Sequence, residues 1–110
     1  MNALRNKVQL IGHVGQDPEI KNLEGGKKVA NLTIATNDSY KNDKGEKVEQ
    51  TEWHKIVAWG KTAEIIEKYV TKGKEIAVEG KLTHRSYDDK NGEKRYVTEV
   101  VVNELLLMGK

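Results

Sequence analysis

The two tryptophans of the chain fall six residues apart in the stretch Thr51 to Thr62, TEWHKIVAWGKT, with Lys55 between them. At the two-residue period of a strand, Thr51, Trp53, Lys55, Val57 and Trp59 share one face, and Glu52, His54, Ile56 and Ala58 the other. The second face offers Ile56 and Ala58 to a core. The first places two indoles and an ammonium group on one surface, where a buried Lys55 would need a partner or an escape route. An open face of this kind stacks planar rings and attracts negative charge, which is how single-stranded nucleic acid is held.

Other chemistries fit less well. Gly60-Lys61-Thr62 stands at a strand-to-helix junction, where a phosphate-binding loop would end, but GxxxxGK[ST] needs a glycine at position 55, which is Lys. His13, His54 and His84 are scattered, without the spacing of a metal site. His54 shares a face with Ile56 and Ala58 and reads as a partly buried histidine in a hydrogen bond or subunit contact. Asp17 with Glu19, and Asp88 with Asp89, fall in turns where acids are common, and no Ser, His and acid constellation stands out. No catalytic residue and no cofactor is assigned.

The elements that must position the tryptophans follow from periodicity. Lys7 to Val14 alternates as a strand, with Gly12 where it bends or another backbone approaches. Gly15 to Pro18 is turn chemistry, Ile20 to Leu23 continues the sheet, and Gly25-Gly26 permits a reversal. Val29 to Thr36 is a second strand with Ala30, Leu32 and Ile34 turned inward. Asn37 to Gln50 is almost wholly polar and reads as a long exposed hairpin arm carrying Tyr40. After the tryptophan strand, Thr62 is suited to cap a helix whose stripe is Ala63, Ile66 and Val70 with Ile65 and Tyr69. Gly73 is placed to end it, and Tyr69 reads as core.

Glu75 to Thr83 supplies a fourth strand, with Ile76, Val78, Gly80 and Leu82 on one face. Thr83 to Asn91 is a second polar excursion, holding His84, Arg85 and Tyr87 and closing at Asn91-Gly92. Tyr96 to Leu106 completes the set, with Val97, Val101 and Leu105 alternating against Tyr96, Val100 and Val102. Strand, strand, strand, helix, strand, strand is the order of an OB-fold, an all-β five-stranded Greek-key barrel with one short helix. On that frame Trp53 and Trp59 share a face, Tyr40 and Tyr87 stand in the excursions either side, and Lys55, Lys61, Lys72 and Arg85 lie near them in sequence.

The whole chain is compatible with this. Its 110 residues, 36% hydrophobic and 33% charged, suit one domain over positions 1–110. A formal net charge of +2 means that any basic footprint is local. Cysteine is absent, which excludes disulfides and thiolate chemistry. No apolar run reaches the ~20 residues of a membrane span and MNALRNKVQL lacks the apolar core of a secretory signal, so a cytoplasmic location is the expectation.

Several ordered motifs resemble the bacterial single-stranded DNA-binding protein family: GxxGQDPE at Gly12 to Glu19, VANLTIAT at Val29 to Thr36, EQTEWHKIVAWGK at Glu49 to Lys61, YVTKG at Tyr69 to Gly73, VEGKL at Val78 to Leu82 and RYVTEVVVN at Arg95 to Asn103. The resemblance covers nearly the entire chain. It implies an OB-fold, a homotetramer, and DNA wrapped over several subunits by stacking and phosphate contacts, serving replication, recombination and repair near the nucleoid. The family's stacking positions fall on Tyr40, Trp53, Trp59 and Tyr87. Tyrosine stands at 40 and 87 where tryptophan is frequent, and tryptophan at 59 where phenylalanine is frequent.

The resemblance also implies replication and repair partners reached through a flexible tail with an acidic, hydrophobic tip. This sequence stops at Leu107-Met108-Gly109-Lys110 without one, so partner recruitment is assigned to no residue here. The competing reading is an OB-fold interaction module, such as a primosome-type assembly subunit, in which the tryptophan face meets protein.

Overall fold

Apolar residues at every second position need a partner on one side only, and a sheet that curls on itself supplies it. The computed structural model describes residues 3–108. Six strands are present: β1 (Val8–Val14), β2 (Glu19–Asn22), β3 (Lys28–Lys41), β4 (Lys47–Trp59), β5 (Glu75–Asp88) and β6 (Lys94–Leu107), with one helix, α1 (Gly60–Tyr69), between β4 and β5. Short 3₁₀ turns lie at Ala3–Asn6 and Glu24–Gly26.

The sheet runs β1-β5-β6-β4-β3-β2 and closes through a further β1–β3 pairing. Five strands therefore make a barrel, and β2 lies outside the ring on β3. This is the expected OB-fold. The ring is built from two long antiparallel ribbons. β3 pairs with β4 from Val29↔Trp59 to Lys41↔Lys47, and β5 with β6 from Ile76↔Leu107 to Asp88↔Lys94. β1 joins β5 along Val8↔Gly80 to His13↔Glu75. The remaining joints are short: β4 meets β6 in parallel at Ile56↔Val100 and Val57↔Val101, and β1 meets β3 at His13↔Ala35 and Val14↔Ile34.

At that last joint the reading of Gly12 is met, because a Cβ there would collide with the Ala35 carbonyl oxygen. The core is the inward stripe of each strand: Ala30, Leu32 and Ile34 from β3, Ile56 and Ala58 from β4, Ile76 and Val78 from β5, Val100 and Val102 from β6. Helix α1 plugs this interior with Ala63, Ile66 and the following Val70, all essentially buried.

Four details depart from the simple pattern. The helix begins at Gly60, whose φ of 62° turns the chain out of β4, and Trp59 occupies the cap position with no side-chain hydrogen bond, so Thr62 is inside the first turn and caps nothing. Tyr69 is 58% exposed, because the buried stripe of a ten-residue helix is narrower than its apolar content. Positions 83 to 88 are strand, not an irregular excursion: both ribbons run past the barrel as two-stranded arms, with both faces in solvent. Leu82, where β5 leaves the barrel, is 38% exposed for the same reason. In β6 a bulge opposite Glu79 and Gly80 breaks the alternation, so that Val100 and Val102 point inward before it and Leu105 after it.

Candidate nucleic-acid interface

The outward face of β4 carries Trp53 and Trp59, 62% and 47% exposed, on either side along the strand of Lys55 and Val57, which line a groove of about 300 Å³. They are joined there by Asn31 and Thr33 from β3, whose pairing with Val57 and Lys55 puts them on the same face. Val97 and Glu99 of β6 and Arg85 of β5 complete the other side, and Gln16, Asp17 and Glu19 the rim. The aromatic platform thus has a floor able to make hydrogen bonds. Gly15 sets the pose of Trp53, because a Cβ there would run into the six-membered part of the indole.

Arg85 and Tyr87 extend the surface along the β5–β6 arm. They share a face through the pairs Arg85↔Val97 and Tyr87↔Arg95, and the Arg85 guanidinium carbon lies 5.9 Å from the Tyr87 ring centroid, within cation–π range. Arg85 donates through Nε to Glu99 Oε1 at 2.9 Å. That hydrogen bond and the carboxylate charge raise the already high pKa of the guanidinium, so it remains a cation at any relevant pH.

The other sequence candidates are more dispersed. Tyr40 is 54% exposed but pairs with Val48 on the ribbon face that carries His54, opposite the Trp53 face. Its arm therefore does not fold it beside the tryptophans. Lys61 is exposed in the first turn of α1, two residues after Trp59, and Lys72 is exposed past the helix end, where its backbone N–H donates to Asp17 Oδ1 at 2.8 Å. His54 is half-buried with Nε2 at 2.9 Å from Thr36 Oγ1, as its apolar face suggested.

Asn31, Thr33 and Glu99 were missed by sequence reasoning. Glu99 had a signal: a lone acid flanked by valines in VTEVVV is buried on one side or the other, and a buried acid needs a partner.

A profile of the Single-strand binding protein family matches residues 5–108. The chain belongs to that family. It is 48% identical over 105 residues to single-stranded DNA-binding protein 1 of Chlorobaculum tepidum, covering 94% of this chain and 65% of the relative. It is 44% identical over 109 residues to single-stranded DNA-binding protein 1 of Xylella fastidiosa, covering 98% and 80%. The chain thus spans just under two thirds of the first relative's length. Among solved structures, a Plasmodium falciparum SSB in complex with ssDNA superposes with a TM-score of 0.87 at 34% identity, over 94% of this chain and 95% of that one. Family members are non-enzymatic binding proteins, in keeping with the incomplete phosphate loop at Gly60-Lys61-Thr62.

Proposed function

We propose that this protein binds single-stranded DNA without strong sequence preference and protects it, unpaired, during replication, recombination and repair. The observation that carries the reading is the pair of exposed indoles on one β4 face, on either side along the strand of Lys55, which lines a groove with Arg85. The relatives named for single-stranded DNA and the DNA complex of the Plasmodium protein support it. Bases stack on Trp53, Trp59 and Tyr87, and Lys55 and Arg85, with Lys61 and Lys72 at the margin, attend the backbone. Tyr40, out on the β3–β4 arm, serves a more distant stretch of the same strand.

Trp53 and Trp59 are the only tryptophans, so intrinsic emission reports on the platform alone. Poly-dT should quench it, and added salt should weaken binding by counterion release, with a slope of about −0.7 per phosphate contact on single strands. Duplex DNA bound as tightly as poly-dT would overturn the reading. In OB-fold single-strand binders stacking is generally worth about 1–3 kcal/mol per base, so Trp53→Ala or Trp59→Ala should weaken binding roughly 5- to 150-fold.

A homotetramer in the cytoplasm is the proposed working form. Supporting it is a groove of about 410 Å³, mostly apolar, lined by Leu10, Ile11, Ala77, Val78, Leu105 and Leu106 together with Gln9, Glu79 and Glu104, in which Ile11 and Leu106 are 58% and 63% exposed on a single subunit. No helix among the described residues is long and apolar enough to cross a membrane. The interaction-module alternative separates in one experiment: loss of DNA binding by the tryptophan variants with assembly intact favours the DNA reading, and dissociation with DNA affinity unchanged favours the alternative.

A further inference from the structure

Glu99 is 8% exposed and is the single buried polar or charged side chain among the described residues, yet stacking and phosphate attraction leave it without a role. Its place is unexpected on electrostatic grounds. A carboxylate on the floor of a groove that is to receive a polyanion opposes the approach of phosphate. Burying it also costs free energy that a valine, the residue type at 97, 100, 101 and 102, would not cost. Some other property must use the acid.

The partner suggests which. Among the described residues Arg85 donates to a side chain only through Nε, to Glu99 at 2.9 Å, while its own side chain is 56% exposed. The two sit diagonally across the β5–β6 ribbon, Arg85 opposite Val97 and Thr83 opposite Glu99. An arginine held at Nε keeps both terminal Nη groups directed outward, the end of the fork that takes a phosphate bidentately. Untethered, the same long side chain samples many rotamers, and each has to be given up on binding.

We infer that Glu99 is a positioning residue for nucleic-acid binding: it anchors Arg85 by Nε so that the Nη end of the guanidinium is held beside Tyr87, facing a backbone phosphate next to the base stacked there. This rests on the reading of Arg85 as a backbone contact. The tether also fixes which side of Tyr87 the phosphate occupies.

The test uses Glu99→Gln, Glu99→Ala and Arg85→Ala, alone and combined, with poly-dT affinity and the Arg85 Nε–H resonance as readouts. Glutamine keeps an acceptor oxygen for Nε but loses the charge, so E99Q should bind at least as tightly as the parent and keep a slowly exchanging Nε–H signal. E99A should lose that signal in the free protein and bind roughly two- to tenfold more weakly, the effect of ordering one rotamer-rich side chain on binding. In the R85A background E99A should have no further effect.

Equal loss from E99A with and without Arg85 would make Glu99 merely structural and overturn the inference. So would an E99A that binds more tightly than the parent, which would make Glu99 a simple repulsive charge. An R85A with unchanged affinity would remove Arg85 from the interface and the positioning role with it, even with the Nε–H signal intact, and would leave the tryptophan platform standing. Should E99A fail to fold, Glu99→Leu, matched to its valine neighbours, replaces it.

Discussion

At residue 15 the chain carries no side chain, and the Trp53 indole occupies the space one would fill. The ring is held by the absence of an atom, so its pose is sensitive to a single methyl. Gly15→Ala should displace the indole, shift the tryptophan emission of the free protein and weaken poly-dT binding several-fold, within the ~1–3 kcal/mol that one stacked base contributes. Fluorescence titration measures both effects at once. Trp53, Lys55 and Trp59 were legible in the sequence because alternation within one strand decides which side chains share a face. The Arg85–Glu99 pair was not, because its members are 14 residues apart on two strands and only the register of a hairpin brings them together. The face on which Tyr40 stands was hidden for the opposite reason: nearness in sequence suggested a place beside the platform, and the uninterrupted β3–β4 register puts it on the other face of the ribbon.

The two arms are stopped by the same device. In the β3–β4 turn Asn42 Oδ1 accepts the backbone N–H groups of Lys44 and Glu46, both at 2.9 Å, and Gly45 takes φ 77°. In the β5–β6 turn Asp89 Oδ1 accepts those of Asn91 and Glu93, both at 2.9 Å, and Gly92 takes φ 79°. The segments read NDKGEK and DKNGEK, alike in an Asx residue, a glycine three places on, then Glu-Lys. They differ in charge. The Arg95 guanidinium, donating to Oδ2 at 2.9 Å, holds the Asp89 carboxyl below its ordinary 3.8, assisted by the Glu93 and Asn91 amides.

A carboxyl whose folded value is depressed contributes its full stabilisation above the unfolded value and loses it as pH falls through the folded one. Acidification below about pH 4 should therefore loosen the Asn91 and Glu93 amides in hydrogen exchange, while those of Lys44 and Glu46, held by a neutral Asn42, are unchanged. Asp89→Asn should abolish the difference. The strands of this second arm were hidden in the sequence, since an arm with both faces in solvent has no apolar alternation to betray it. In the barrel a buried side made the alternation of β3 and β4 legible, whereas in β6 the bulge shifts the inward stripe from Val100 and Val102 to Leu105, which no periodicity shows.

For a chain of 110 residues a compact domain has a radius of gyration of about 13 Å, whereas this one reaches 16.1 Å with extents of 57 × 42 × 34 Å. The excess belongs to the arms, which project from a small barrel and place Tyr40 and Tyr87 away from its axis. Four such subunits would present a surface much broader than their cores. Light scattering of the purified protein should return a mass near four times 12.4 kDa, and replacing Ile11 and Leu106 with aspartate should reduce it. A monomeric parent would end the tetramer proposal.

The barrel itself is stitched unevenly. The two long ribbons pair with each other at Ile56↔Val100 and Val57↔Val101, and β1 is tied to β3 at His13↔Ala35 and Val14↔Ile34 with the Gly15 N–H donating to the Thr33 carbonyl just beyond. Mechanically the molecule is two stiff blades laced along short seams. A pulled or thermally agitated molecule should part at those seams before either blade loses its own ladder, with the amides of Gly15, which donates to the Thr33 carbonyl across one seam, and Ala35 exchanging ahead of those at Leu32 and Val78. A strand of DNA laid across β4 and the β5–β6 arm spans one of these seams, so the ligand would act as a suture, and its occupancy would be readable in the slowed exchange of amides it never touches.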